Sequence, residues 1–249
     1  MSENQKKVWI TGASSGIGKA LAEKYAKEGW KVAISARRKN LLDQLSENEN
    51  IYSYPLDVTN SKEIDETFKK ILQDFNNLDL CIFSSGIYER KLEKEINVSS
   101  IRNTIEINFI GTVNSVKSVE SYFKQKKDGQ IAIVSSPVGY RGLPKSTGYS
   151  PSKAALNNFT QGIYFDFKKF NVGVSLISPG FIKTQLTDKN DFHMPFLKST
   201  DYAAEKIFKG LKNKDFEIIF PLPIAIMYRI FNILPNSLYN FLIGKLVNR

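Results

Sequence analysis

Short apolar, β-branched runs alternate along the chain with longer amphipathic stretches. KVWIT, KVAISA, IYSYPL, LDLCIFS, QIAIVSS, VGVSLIS and FEIIF each read as a strand apolar enough to be buried on both faces. Between them lie polar segments of helical length. In SKEIDETFKKILQDF (61–75), Ile64, Phe68, Ile71, Leu72 and Phe75 recur at steps of three and four, which predicts one buried helix face. Buried strands separated by helices imply an α/β fold, a doubly wound parallel sheet of about seven strands with helices on both faces. The alternation runs to residue 220 without a linker or an internal repeat, so residues 1–220 are expected to form a single domain.

The pattern changes after that. The segment 218–249 has no acidic residue and is apolar on nearly every side of any helix drawn through it. Pro221, Pro223, Pro235 and Arg229 interrupt it, so no apolar run reaches the roughly 18 residues of a membrane span. Two short helices are expected, near 224–234 and 237–247, as an apolar extension (221–249) packed on the domain. Three readings stand for it: core or dimer packing, a lid over an apolar substrate, or a peripheral membrane contact.

Composition narrows the class further. One cysteine, Cys81, excludes an internal disulfide, and its setting in LDLCIFS makes it a core residue. The polar N-terminus MSENQKK shows no signal peptide, and with the lone cysteine it suggests a cytoplasmic protein, membrane-associated only if 221–249 makes it so. The net charge of +10 is spread over scattered lysines and arginines with no basic stripe, so no nucleic-acid partner is expected. No cluster has metal-ligand spacing, and no metal is expected.

Chemistry enters at the end of the first strand, in TGASSGIG. Gly12, Gly16 and Gly18, with Ser14, Ser15 and Ile17 between them, sit at a strand-to-helix turn, where the backbone can approach a pyrophosphate held at a helix N-terminus. That context makes the sheet a Rossmann-type dinucleotide fold. The second strand ends in ISARRKN. An acid there would bind the hydroxyls of an unphosphorylated ribose, but the chain has Ala36 followed by Arg37 and Arg38. Guanidinium groups suit a 2′-phosphate, and Ser14 can add a hydroxyl, so NADP(H) is expected over NAD(H). Arg37 comes first after the strand and is the leading contact; Arg38 is either a second contact or solvated.

The second chemical stretch is TGYSPSKAAL (147–156). Tyr149 and Lys153 are four residues apart and share a helix face, and Pro151 fits a first helical turn. A phenol near pKa 10 is too weak an acid for proton exchange at neutral pH, and a nearby ammonium together with a positive nicotinamide would lower it. Ser136 ends the strand QIAIVSS thirteen residues upstream. Glycine turn and serine both fall at carboxyl ends of parallel strands, where ligands bind.

In order and spacing, TGASSGIG, Ser136, YSPSK and SPGFIKT (178–184) resemble the short-chain dehydrogenase/reductase family over about residues 6–220. The resemblance implies Tyr149 as general acid/base, Ser136 orienting the substrate oxygen, and Lys153 binding the nicotinamide ribose. It implies that Asn108, in IEINFIGT, holds a water of the proton relay, and that Asp57 and Val58 lie beside the adenine. Pro179, Gly180, Ile182 and Thr184 would line the nicotinamide side. One departure is SSG (84–86) where the family has NAG, so Ser84 must brace the backbone with a shorter side chain while Gly86 admits the ribose.

The expected function is NADP(H)-dependent hydride transfer between nicotinamide and a carbonyl or alcohol substrate, one with a hydrophobic body, in a homo-oligomer (dimer or tetramer). The alternatives are a redox-silent NADP(H)-binding regulator on the same fold and a membrane-peripheral, lipid-modifying reductase. Tyr140, Leu143, Phe181, Phe192, Met194 and Phe196 are candidates for an apolar pocket or for ordinary packing. His193 is expected at the surface or beside substrate, and Trp9 and Trp30 in the core.

Overall fold

A computed structural model describes residues 5–89, 96–190 and 194–247. Phe192 and His193 therefore lie outside the described residues. Seven strands form one sheet: β1 (Lys7–Thr11), β2 (Lys31–Ser35), β3 (Ile51–Ser53), β4 (Leu80–Phe83), β5 (Gln130–Val134), β6 (Gly173–Pro179) and β7 (Glu217–Phe220). Their order is β3-β2-β1-β4-β5-β6-β7, and every pairing is parallel. The helices are α1 (Gly16–Lys27), α2 (Lys39–Leu45), α3 (Ser61–Phe75), α4 (Val98–Ile105), α5 (Gly111–Lys126), α6 (Tyr149–Lys168), α7 (Thr200–Lys212), α8 (Leu222–Ile233) and α9 (Asn236–Val247). The doubly wound sheet expected from the alternation is the one present.

Strand periodicity explains the two cores. Along β1, Val8 and Ile10 point into one apolar layer with Leu21 and Tyr25 of α1 and Ile207 of α7. Trp9 points the other way, into the layer of Phe68 on α3 and Val119 on α5. Successive side chains of a strand face opposite sides, so apolar residues at every position bury both faces. Trp9 is fully buried and its indole N–H donates to Ser35 Oγ at 2.9 Å, whereas Trp30 is only half-buried against the first layer.

The predicted face of α3 is realised. Ile64, Phe68, Ile71 and Phe75 are buried, and Leu72 is half-buried against the same layer. Each fully buried side chain is worth about 2 kcal/mol of transfer free energy. Asn60 starts the helix by accepting from the Glu63 backbone N–H.

Chain reversal places the site. After β1 the chain moves outward through β2 and β3, then returns to put β4 on the other side of β1. A crevice opens at the carboxyl ends where that direction switches. The turn after β1 meets the turn after β4 there, with the Ser84 N–H donating to Thr11 Oγ1 at 3.3 Å.

The two C-terminal helices appear within one or two residues of the expected bounds. α8 packs on β7 and on the short turn Pro137–Gly139 after β5. Among the described residues, no helix is long and apolar enough to cross a membrane.

Candidate functional site

A cavity of about 1230 Å³ lies along the carboxyl edge of the sheet. Every candidate catalytic and cofactor-binding residue named from the sequence lines it except Asn108.

The nucleotide end begins at Gly12, where φ is +70°. A Cβ there would stand 2.7 Å from the Ser84 backbone, so no larger residue fits. A Cβ on Gly18 would stand 2.4 Å from the Gly12 carbonyl, which fixes how closely α1 approaches β1. Ser15 is the N-cap of α1, but its side chain makes no capping bond, which leaves first-turn amides to a ligand. A tight glycine cradle ending at uncapped helix amides fits the pyrophosphate of a dinucleotide.

Arg38, rather than Arg37, is built into this turn. Its guanidinium donates to Ser14 Oγ from Nη2 at 2.8 Å and from Nε at 3.1 Å, to Ser15 Oγ at 2.6 Å, and to Gln185 Oε1 at 3.3 Å. Arg37 reaches outward and makes a 3.9 Å ion pair with Asp57 with its side chain 61 % exposed. Both line the cavity. Arg38 is the N-cap of α2, and its guanidinium reaches back to the Ser14–Ser15 turn.

At the other end, Tyr149 is the first residue of α6, and Pro151 lies in its first turn as the sequence predicts. Ser136 and Tyr149 share the cavity wall. Burial pushes the phenol up to about 12, the Ser136 side chain works against the rise, and Tyr88 adds to it. Lys153 Nζ stands 5.6 Å from the Tyr149 ring centroid and donates to the Val134 carbonyl at 2.9 Å. Burial lowers the Lys153 ammonium to about 8. In the chain alone burial outweighs the one lowering influence on the phenol, the Ser136 side chain.

Asn108 lies in a π-helical turn, Glu106–Ile110, between α4 and α5. It is fully buried, accepts from the Ile87 N–H at 2.7 Å, and donates to the Ile87 carbonyl and to Ser152 Oγ, both at 3.0 Å. Ser152 in turn donates to the Tyr149 carbonyl at 2.7 Å. On the opposite side of α6, Ser135 donates to Asn157 Oδ1 at 2.6 Å and contacts the Lys153 carbonyl at 3.1 Å.

Several participants carry no motif. The Tyr88 ring packs edge-on against Tyr149 with centroids 5.0 Å apart. From the C-terminal helices, Ile224, Met227, Tyr228, Phe231 and Ile243 close the cavity. Loop residues 140–142 are tied to these helices: Arg141 donates to the Leu234 carbonyl at 2.9 Å, and Tyr239 Oη to the Gly142 carbonyl at 2.6 Å. Tyr140 donates to Glu217, which also pairs with Arg229 at 3.1 Å. Of the pocket candidates, Leu143 and Phe181 line the cavity, while Tyr140 serves that network, Met194 accepts from Asn190 Nδ2 at 3.2 Å, and Phe196 is exposed.

A model of the short chain dehydrogenase family matches residues 6–194. An uncharacterized oxidoreductase of Myxococcus xanthus (strain DK1622) is 33% identical over 236 residues, covering 93% of each chain. Among solved structures, ElxO with NADP bound is 28% identical, with a TM-score of 0.78 over 86% of this chain and 97% of that one. A short chain dehydrogenase/reductase from Burkholderia phymatum in complex with NAD is 22% identical, with a TM-score of 0.83 over 92% and 94%. The chain belongs to the short-chain dehydrogenase family of oxidoreductases.

Proposed function

We propose that the protein is an NADP(H)-dependent oxidoreductase interconverting a carbonyl and an alcohol on an apolar substrate, with Tyr149 as general acid/base. The observation that carries this is the convergence of Ser136, Tyr149 and Lys153 on one cavity wall, with Lys153 Nζ 5.6 Å from the Tyr149 ring centroid.

The nicotinamide cofactor, when bound, supplies or accepts the hydride. The glycine turn and the α1 amides would hold its pyrophosphate, Asp57 and Val58 its adenine, and Gly86 and Lys153 the ribose beside the nicotinamide. Pro179, Gly180, Ile182 and Thr184 would border the ring. Arg38, with Ser14 and the outer Arg37, would take a 2′-phosphate. That choice is supported by the guanidinium fork on the turn and by the missing acid after β2. A nicotinamide cofactor is also what the NADP-bound and NAD-bound neighbours hold.

In reduction, Ser136 holds the substrate oxygen and Tyr149 passes its phenolic proton to the oxygen as negative charge develops there. A phenol raised to about 12 is fully protonated at neutral pH, so the chain alone is set to donate. The reverse reaction needs the phenolate, hence added positive charge beside Lys153. Asn108 pins the segment around Ile87 and, through Ser152, the first turn of α6, which fixes where Tyr149 stands. An apolar substrate body is supported by the wall of Leu143, Phe181, Met227 and Phe231.

The test is steady-state oxidation of NADPH, and separately of NADH, with a panel of lipophilic ketones and aldehydes. Faster turnover with NADPH is expected. NADPH binding with no turnover on any carbonyl would instead make the protein a redox-silent regulator.

A further inference from the structure

The inner side of α8 closes the cavity, yet its outer side is also apolar. Leu222, Ile226, Ile230 and Ile233 are 69, 50, 49 and 81 % exposed. At 100° per residue these four fall within a sector of about 80°, so they form one stripe. On α9, Leu238 and Phe241 are 44 and 57 % exposed. Ile224 and Tyr228, on the other side of α8, are buried. A helix apolar on both sides needs a second apolar partner for the side the fold leaves open.

Charge decides between the partners. No Asp or Glu occurs after Glu217, whereas Arg229, Lys245 and Arg249 do. Lys245 Nζ lies 4.4 Å from the ring centroid of the exposed Phe241, and Arg229, although paired with Glu217 at 3.1 Å, keeps its side chain 70 % exposed. A second copy would bring its own Arg229 and Lys245, with no added carboxylate from α8 or α9, to the same face, which opposes association. An anionic lipid surface is attracted by the same charges and accepts the apolar side chains. α8 and α9 have 12 residues each, too short to span a bilayer, and suit its interface instead.

We propose that the outer stripe of α8, extended by Leu238 and Phe241 of α9, docks the protein on an anionic phospholipid bilayer. The inner side of the same helices lines the cavity, so docking brings the site to the lipid and lets an apolar substrate pass from the bilayer. That consequence rests on the apolar-substrate reading; the docking itself does not.

Co-sedimentation of the full chain with vesicles tests this without any activity readout. Binding to phosphatidylcholine vesicles containing phosphatidylserine is expected to exceed binding to pure phosphatidylcholine by about tenfold or more, and to weaken with salt. Ile226→Glu/Ile230→Glu/Ile233→Glu is expected to abolish it while NADPH binding persists. Should the triple variant fail to fold, Ile233→Glu alone, at the most exposed position, reads the same loss. The proposal is overturned if the wild type ignores phosphatidylserine vesicles or if a folded variant binds them as well as the wild type. It is equally overturned if analytical ultracentrifugation shows a dimer that the substitutions dissociate, since a second copy would then cover the face.

Discussion

The Asn108 carboxamide donates to the Ser152 hydroxyl at 3.0 Å, joining the π-helical turn to the first turn of α6. Because Ser152 bonds the Tyr149 carbonyl and Asn108 also bonds both backbone groups of Ile87, one buried amide ties three segments at the cavity edge. Asn108→Ala leaves these groups without partners. A cost of about 2–3 kcal/mol is expected, seen as a Tm lowered by roughly 5 °C in a thermal melt. Ser152→Ala removes only the last link and should cost less.

Buried Lys153 makes stability depend on pH. Its folded pKa is about 8 against an ordinary 10.5, so between these values the unfolded chain binds more protons and stability rises with pH. Tyr149 acts oppositely: raised from 10 to about 12, it holds its proton while the unfolded phenol loses it, so stability falls above pH 10. Urea midpoints of the wild type minus those of Lys153→Met isolate the lysine contribution. The difference is expected to grow in favour of the wild type from pH 8 to pH 10, by up to about 3 kcal/mol.

The proposed 2′-phosphate site makes Arg38 its main contact. Arg38→Ala is expected to weaken NADPH binding about tenfold or more while changing NADH binding little, as for loss of a charge-assisted bond. Arg37→Ala, at the more exposed position, should have the smaller effect. Fluorescence titration with both dinucleotides checks this, and equal losses for the two would remove the 2′-phosphate assignment.

Cys81 is fully buried, and burial raises its thiol pKa well above the ordinary value. A thiol reagent should therefore leave the native protein unmodified and react at once in denaturant.

Much of this arrangement was legible before any coordinates. Apolar runs gave the strands because both sheet faces are covered, and the step pattern of α3 gave its buried face. The glycine turn, Ser136, Tyr149 and Lys153 carry local signals: strand-end position, helix spacing, a proline in the first turn. Other features depend on packing. Arg38 bonds Ser14 and Ser15 because its direction depends on where the chain turns into α2. Tyr88 and the inner side of α8 meet the site only through tertiary packing, which residue order does not encode. The tyrosine pKa of the chain alone is set by burial depth, which residue spacing does not encode, whereas the expected lowering counted on a bound nicotinamide as well.

The most direct test of the central claim is the turnover of Tyr149→Phe with NADPH and the best carbonyl of the panel. The phenylalanine keeps the ring against Tyr88 and removes only the hydroxyl. Turnover is expected to fall by about 10²-fold or more, with NADPH affinity unchanged. Retention of most of the wild-type rate would contradict Tyr149 as the proton donor.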